Sequence, residues 1–446
     1  MTRPSRVSLF FYALPAIPLA AMALPFYVIA PTFYAEQLGV SAAGLGVVLL
    51  LIRLFDAISD PLVGYMADRV SSAYGRRRAV FLAFAPAAAL ASFMLFWPPV
   101  DAGLGYLALW GLLLSLCYTG VTLPYTAWGA ELSTEYAGRT VVSAFREGAT
   151  LIGTLIAVVL PFVVGVDQAE GLHGLAVLAI VLAIATPLLA GLAVWKTPEP
   201  ENLSRRSLGL WEGLQFLGAN KAFLRLIGAF FLNGFANAIP ATLFLLFVSE
   251  RLGVAELRGP LLLLYFLCGV IGVPLAVATA ARFGKHRSWC GAMTLACVIF
   301  AFSGLLQEGD VLAFAVICTA TGLLLGFDLT LPPAIQADVI DLDTLRSGEQ
   351  RTGIYFAAWG LATKLSLALS AGLVFPILEW SGLDPGSSNP QTPTALFALS
   401  SLYAWLPILP KLAAIALMWN FPIAIDDQRG LREALENARR QENSAM

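Results

Sequence analysis

Charge is what this sequence has least of. Only 13% of its 446 residues are Asp, Glu, Lys or Arg, roughly half the share of a soluble domain, and no aqueous fold of this length needs so little polar surface. Histidine is scarcer still: His173 and His286 are the whole supply, and neither stands at metal-ligand spacing from a cysteine. The five cysteines, Cys117, Cys268, Cys290, Cys297 and Cys318, lie in or beside apolar runs with no CxxC pair. That excludes a disulfide framework and reads as small core hydrophobes. There is no GxSxG, HExxH or Walker sequence, so neither an enzyme nor a resident cofactor is expected. A net charge of −2 offers no field for a nucleic-acid partner.

What is present is apolar length. Hydrophobic residues make up 58% of the chain and the mean hydropathy is +0.77, so the solvent for most side chains is lipid. Runs long enough to span a bilayer fall at 9–31, 42–66, 79–97, 104–130, 141–166 and 172–195. After a polar stretch come 222–249, 258–281, 287–306, 311–335, 352–379 and 395–420. The first run follows Arg3 and Arg6 and contains Ala21 to Ala23, which imitates a secretory signal, but it is too long for a signal h-region and is read as an uncleaved span. Of the 27 Lys and Arg residues, 22 lie in one set of loops or at span ends beside it. The opposite loops hold only Arg251 and Arg258, and Arg53, Lys364 and Lys411 lie within spans. Positive loops stay cytoplasmic, which places both termini in the cytoplasm and fits twelve crossings of a bacterial inner membrane.

The expected fold is an all-α membrane protein of two pseudo-symmetric six-helix bundles, residues 1–196 and 222–425. A cytoplasmic linker at 197–221, with a short amphipathic piece at Trp211–Phe216, and a charged tail at 426–446 complete it. The symmetry is written in the sequence at an offset of about 210 residues. Asp60-Pro61-Leu62 matches Val273-Pro274-Leu275, and Gly75-Arg76-Arg77-Arg78 matches Gly284-Lys285-His286-Arg287. Thr122-Leu123-Pro124 matches Thr330-Leu331-Pro332, and Arg139-Thr140 matches Arg351-Thr352. A duplicated six-helix unit is a common plan of secondary transporters, with the solute held near the midplane between the repeats. The partners this implies are the bilayer and a small solute, and a monomer is expected.

A charge at the centre of a span costs about 2.5–3.5 kcal/mol on insertion scales and marks a functional candidate. Arg53, Asp56, Asp60, Asp328, Lys364 and Lys411 qualify. Asp56 and Asp60 are four residues apart, so their carboxylates share one helix face about 6 Å apart along the axis. At that separation they repel unless they share a proton or coordinate a cation; an ion pair with Arg53 or Lys364 that merely ties helices together is the alternative. The repeat places Gly269 and Val273 at the equivalent positions, and Ile152 opposite Lys364. These charges are therefore additions to one half and not part of a shared scaffold. Asp328 and Lys411 are read either as a protonatable transport site or as a buried pair.

Gly64-Tyr-Met-Ala-Asp68-Arg69 followed by Gly75-Arg76-Arg77-Arg78 resembles the loop 2–3 signature of the major facilitator superfamily. Arg53-Leu-Phe-Asp56-Ala-Ile-Ser-Asp60-Pro61 narrows the resemblance to the glycoside–pentoside–hexuronide:cation symporter family, of melibiose-permease type. Tyr118-Thr119-Gly-Val-Thr122-Leu-Pro124-Tyr125, Ala337-Asp338-Val-Ile-Asp341, Gly348-Glu-Gln-Arg351-Thr-Gly353 and Lys364 agree with it. The resemblance implies symport of a sugar, glycoside or related solute coupled to Na+ or H+ by alternating access. It also implies that Asp56 and Asp60 hold the cation with Thr119, that Lys364 takes part in coupling, and that Arg146 helps bind sugar.

Asp68, Arg69, Arg76 and Arg77 read as a cytoplasmic gate latch, with Asp338, Asp341, Glu349 and Arg351 doing the same in the second half. Tyr125, Trp128 and other aromatics are candidates to line a cavity. The chain departs from the family where galactoside-carrying members place carboxylates: no charge occurs between Leu9 and Pro31, and the fourth span offers Thr122. A less polar glycoside, an anionic sugar held by Arg146 or Lys411, or a lysolipid-like solute are the options. A proton-coupled exporter using Asp328 is the alternative reading.

Overall fold

The computed structural model describes residues 5–422 except 27–29, 31–32, 35–37, 39, 71, 134, 164–170, 201–214, 216 and 384–390. Trp211 and most of the expected linker, and the tail from residue 426, lie outside the described residues. The elements in chain order are α1 (Arg6–Ala13), α2 (Ala16–Leu24), α3 (Ala42–Arg69), α4 (Arg76–Phe96), α5 (Leu104–Leu132), α6 (Tyr136–Val163) and α7 (Gly171–Lys196). There follow α8 (Lys221–Leu246), α9 (Arg258–Phe283), α10 (Lys285–Ser303), α11 (Val311–Ser347), α12 (Thr352–Trp380), α13 (Pro393–Ser400) and α14 (Ile408–Met418). Among the described residues every apolar run carries helix, the first run as α1 and α2 and the last as α13 and α14, and nine segments are long and apolar enough to cross a membrane.

Two local deviations have sequence causes. The first span breaks into α1 and α2 at Leu14–Pro15, because proline lacks the N–H that a continuous helix needs there. Short π-helical turns at Phe247–Arg251 and Ser401–Trp405 extend α8 and α13. Prolines 61, 86, 124, 187, 240, 274, 332, 333 and 376 sit inside helices, which helical packing in lipid tolerates.

Packing divides the chain into two units, Met1–Gly213 with Asp343–Ala358, and Leu214–Leu342 with Trp359–Met446. In the first, α4 lies along α5 and α7, α3 along α5, and α2 along α6. Two cores fill it: one around Met22, Tyr34, Ile52, Phe96 and Leu114, the other around Tyr12, Phe81, Tyr125 and Trp128. In the second, α8 and α10 pack on α14 around Leu243, Phe247, Phe314 and Tyr403. The duplication is visible in the backbone: α4 and α10 each start after a glycine of matching conformation, Gly75 at φ 99°, ψ 158° and Gly284 at φ 86°, ψ 156°. Only glycine adopts that conformation without strain.

Helix α3 shows which solvent these residues were chosen for. Leu50, Leu54, Ile58, Leu62 and Met66 recur every four residues and are all exposed, whereas Asp56, Ser59 and Asp60 are buried. An aqueous helix has the opposite pattern; apolar outside and polar inside is the pattern that lipid selects.

Candidate functional site

The two acids of α3 face α5. Thr119 donates its hydroxyl to Asp60 at 2.8 Å, and Ser115 donates to Asp56. Both rungs join residues 59 apart in sequence, so α3 and α5 run parallel and their four-residue spacings stay in register. Asp56 is 0% exposed and Asp60 2%. By helical rise, Asp60 lies about 12 Å and Asp56 about 18 Å from Asp68 at the end of α3. Two bare carboxylates about 6 Å apart repel by roughly 3 kcal/mol at an effective dielectric of about 20. The partners that α5 supplies are hydroxyl oxygens, which together with the carboxylates suit a hard cation or a shared proton. Among the described residues no group of three or more His, Cys, Asp and Glu could hold a metal ion.

At the end of α3 a second charged cluster forms. Arg77, wholly buried, places Nη1 2.7 Å from Asp68 and Nη2 2.6 Å from Glu131. Arg76 reaches Glu131 at 3.1 Å. Asp68 also accepts the backbone N–H groups of Gly353 at 2.9 Å and Ile354 at 3.2 Å, so the first turn of α12 presents its positive dipole end to a carboxylate. The approach is close enough that a Cβ on Gly64 would sit 2.8 Å from the Gly353 carbonyl oxygen. Glu199 accepts from the N–H groups of Arg77 (2.7 Å) and Arg78 (3.3 Å), capping α4 from the far side. Arg69 instead lies over the Tyr65 ring, 4.4 Å from its centroid.

The second unit carries its own buried polar group. Lys411 donates to Asn233 at 2.7 Å and Asn237 at 2.9 Å, and lies 3.4 Å from Asp328. Asp328 accepts from Trp289 at 2.7 Å and from Asn237 at 2.9 Å. The two residues that the sequence left unassigned are thus one cluster. Further along α10 and α11, Lys285 pairs with Asp338 at 2.6 Å.

The remaining candidates sort as follows. Lys364 is half-buried on α12. Arg146, expected to help bind sugar, is buried and holds its neighbour Glu147 at 2.6 Å. Thr122 donates back to the Tyr118 carbonyl at 2.8 Å. Tyr125 and Trp128, expected to line a cavity, are core residues in this structure: Tyr125 stacks on Phe81 and donates to the Tyr12 carbonyl at 2.8 Å, and Trp128 donates to the Pro198 carbonyl at 2.9 Å. Large flat rings with one polar tip fit that role. Of the expected second latch, Asp341 and Glu349 are buried. Arg351 pairs with Asp343 at 2.5 Å, in the segment that packs with the first unit. The Arg53 side chain lies outside the described residues. Sequence reasoning missed Ser115, Glu131, Glu199, Asn233, Asn237 and Trp289.

Residues 11–424 match the model of the MFS/sugar transport protein family. The chain is 26% identical to the isoprimeverose transporter of Lactiplantibacillus pentosus, over 87% of this chain and 82% of that one. It is 23% identical to the human sodium-dependent lysophosphatidylcholine symporter 1, over 93% and 82%. The fold resembles that of the fucose:proton symporter of E. coli, with a TM-score of 0.65, 15% identity, and coverage of 91% of this chain and 97% of that one. With its apolar exterior, its duplicated helical units and a family match over nearly its whole length, the chain belongs to the MFS/sugar transport protein family and is a multi-pass, all-helical membrane protein.

Proposed function

We propose that this protein is a secondary transporter that couples entry of a sugar or glycoside to a Na+ or H+ gradient. In this reading Asp56 and Asp60 hold the coupling cation, with Thr119 and Ser115 supplying hydroxyl oxygens. One observation carries it: two buried carboxylates, about 12 and 18 Å along α3 from Asp68 by helical rise, each meet a hydroxyl of a parallel helix in the same register. A cation or proton bound there removes the repulsion between two like charges on one face and lowers the cost of burying them. Relatives named as sugar transporters support the solute class.

The Asp68–Arg77–Glu131 cluster serves as the cytoplasmic latch. Both termini are cytoplasmic, twelve helices cross a bacterial inner membrane, and the protein acts as a monomer. Arg146 is a weak anchor for an anionic sugar because Glu147 already neutralises it. A lysolipid-type solute is the second reading. It is favoured by the similarity to the lysophosphatidylcholine symporter and by the absence of charge between Leu9 and Pro31.

A thermal-shift panel on purified protein tests the proposal, using neutral glycosides, hexuronides and lysophosphatidylcholine with and without sodium at two pH values. A neutral glycoside that stabilises the protein only with sodium, or only at the lower pH, supports it. Stabilisation by lysophosphatidylcholine alone moves the assignment to the second reading, and cation-independent stabilisation refutes coupling.

A further inference from the structure

Four helices of the second unit converge on a charged group that the cation site does not use: α8 with Asn233 and Asn237, α10 with Trp289, α11 with Asp328 and α14 with Lys411. Four of its five contacts measure 2.7–2.9 Å, the range of charge-assisted hydrogen bonds. The fifth, between the two opposite charges themselves, is 3.4 Å. The reason is geometric. Asp328 is fixed by Trp289 and Asn237, and Lys411 by Asn233 and Asn237, so neighbours hold the two ions just beyond good contact. The direct contact is the longest in the group, so it is the one that gives way most readily to another polar atom.

Against Lys411 and Asn237 lies a small cavity of about 20 Å³, otherwise walled by apolar groups including Ala236, Pro240, Cys297 and Phe300. It has room for one oxygen atom and its hydrogens. We propose that Asp328 and Lys411 form a hydroxyl-binding subsite of the second unit, which takes one hydroxyl of an uncharged solute. A hydroxyl entering against Lys411 and Asn237 accepts from Lys411 in place of the stretched ion-pair contact and donates toward Asp328, which lies 3.4 Å from the Lys411 amine; a hydroxyl does both without bringing charge. The cluster is net neutral, so an anionic head that approaches Lys411 meets Asp328 as well, and a cationic head has the reverse difficulty. The subsite rests on the symport reading above, for which it names the chemistry of one solute contact.

The test is a double-mutant cycle between protein and solute. Isoprimeverose, methyl β-glucoside and methyl β-galactoside are screened on wild-type protein by thermal shift in sodium buffer. The monodeoxy analogues of the binder are then measured on wild type, Lys411→Gln and Asp328→Asn. Each variant is expected to weaken the parent by about 10- to 100-fold. One deoxy analogue is expected to lose a similar factor in wild type and nothing further in the variants, a pattern that loss of a merely structural pair does not produce. Stabilisation by whichever cation stabilises wild type, sodium or the lower pH, retained in both variants, reports that they are folded. Should either fail to fold, Ala236→Val narrows the cavity without touching a charge and is expected to abolish discrimination against that same deoxy analogue.

A flat cycle, in which every analogue loses equally in the variants or none loses, overturns the subsite and leaves the symport reading standing. If no neutral glycoside binds wild type, both fall together.

Discussion

Replacing Glu131 with Gln is the sharpest probe of the cluster at the end of α3. Its four charges balance: Arg76 and Arg77 against Asp68 and Glu131, with Arg77 and the Glu131 side chain both almost completely buried. Gln keeps the volume and one acceptor but leaves Arg76 and Arg77 against the single carboxylate of Asp68, one positive charge in excess. Breaking a buried pair on one side costs about 3–5 kcal/mol, far above the roughly 0–1 kcal/mol of an exposed ion pair. Arg77→Met should cost less, because Glu131 keeps Arg76 at 3.1 Å and Asp68 keeps two backbone N–H groups. The double variant should then be clearly more stable than the two single losses predict, by at least about 1 kcal/mol for residues in one network. Unfolding of purified protein in mixed micelles, titrated with denaturing detergent, reads all three. A Glu131→Gln loss below about 0.5 kcal/mol, or strict additivity with Arg77→Met, would show that the cluster is solvated and refute its role as a latch.

Two further outcomes follow from the same geometry. Ser115→Ala and Thr119→Ala each remove a hydroxyl that meets a buried carboxylate, worth about 1.5–3 kcal/mol, so each should raise the half-saturating cation concentration by about 10- to 100-fold; cation dependence of uptake into proteoliposomes measures it. Gly64→Ala introduces a Cβ 2.8 Å from the Gly353 carbonyl oxygen and should destabilise the protein by about 1–3 kcal/mol through overpacking, read by the same detergent titration.

Hydropathy alone located the helices, because lipid leaves no other way to satisfy a spanning backbone. The duplication was legible in short matched strings, and the paired glycines that open α4 and α10 show why those strings persist: the backbone conformation requires them. The acids of α3 were equally legible, since a charge in an apolar run is conspicuous. Their partners were less so. Ser115 has the same four-residue spacing to Thr119 as Asp56 has to Asp60, but serine is unremarkable in a membrane helix until the register of α3 against α5 is known. Asn233 and Asn237 carried a similar signal, two amides one turn apart in an apolar run, and only the packing of α8 and α14 shows that they hold Lys411. Arg146 illustrates the limit from the other side. Adjacent residues on a helix do not usually face each other, so a pairing with Glu147 was not suggested by spacing. Tyr125 and Trp128 were ambiguous for a different reason: an aromatic in a spanning helix fits a cavity wall and a packed core equally well.

The measurement that bears most directly on cation coupling is accumulation of a bound glycoside by proteoliposomes under an imposed sodium or proton gradient, compared among wild type, Asp56→Asn and Asp60→Asn at equal protein content. The account predicts uphill accumulation by wild type and, in each variant, equilibration across the membrane without concentration. Accumulation against the gradient by both single variants would contradict it.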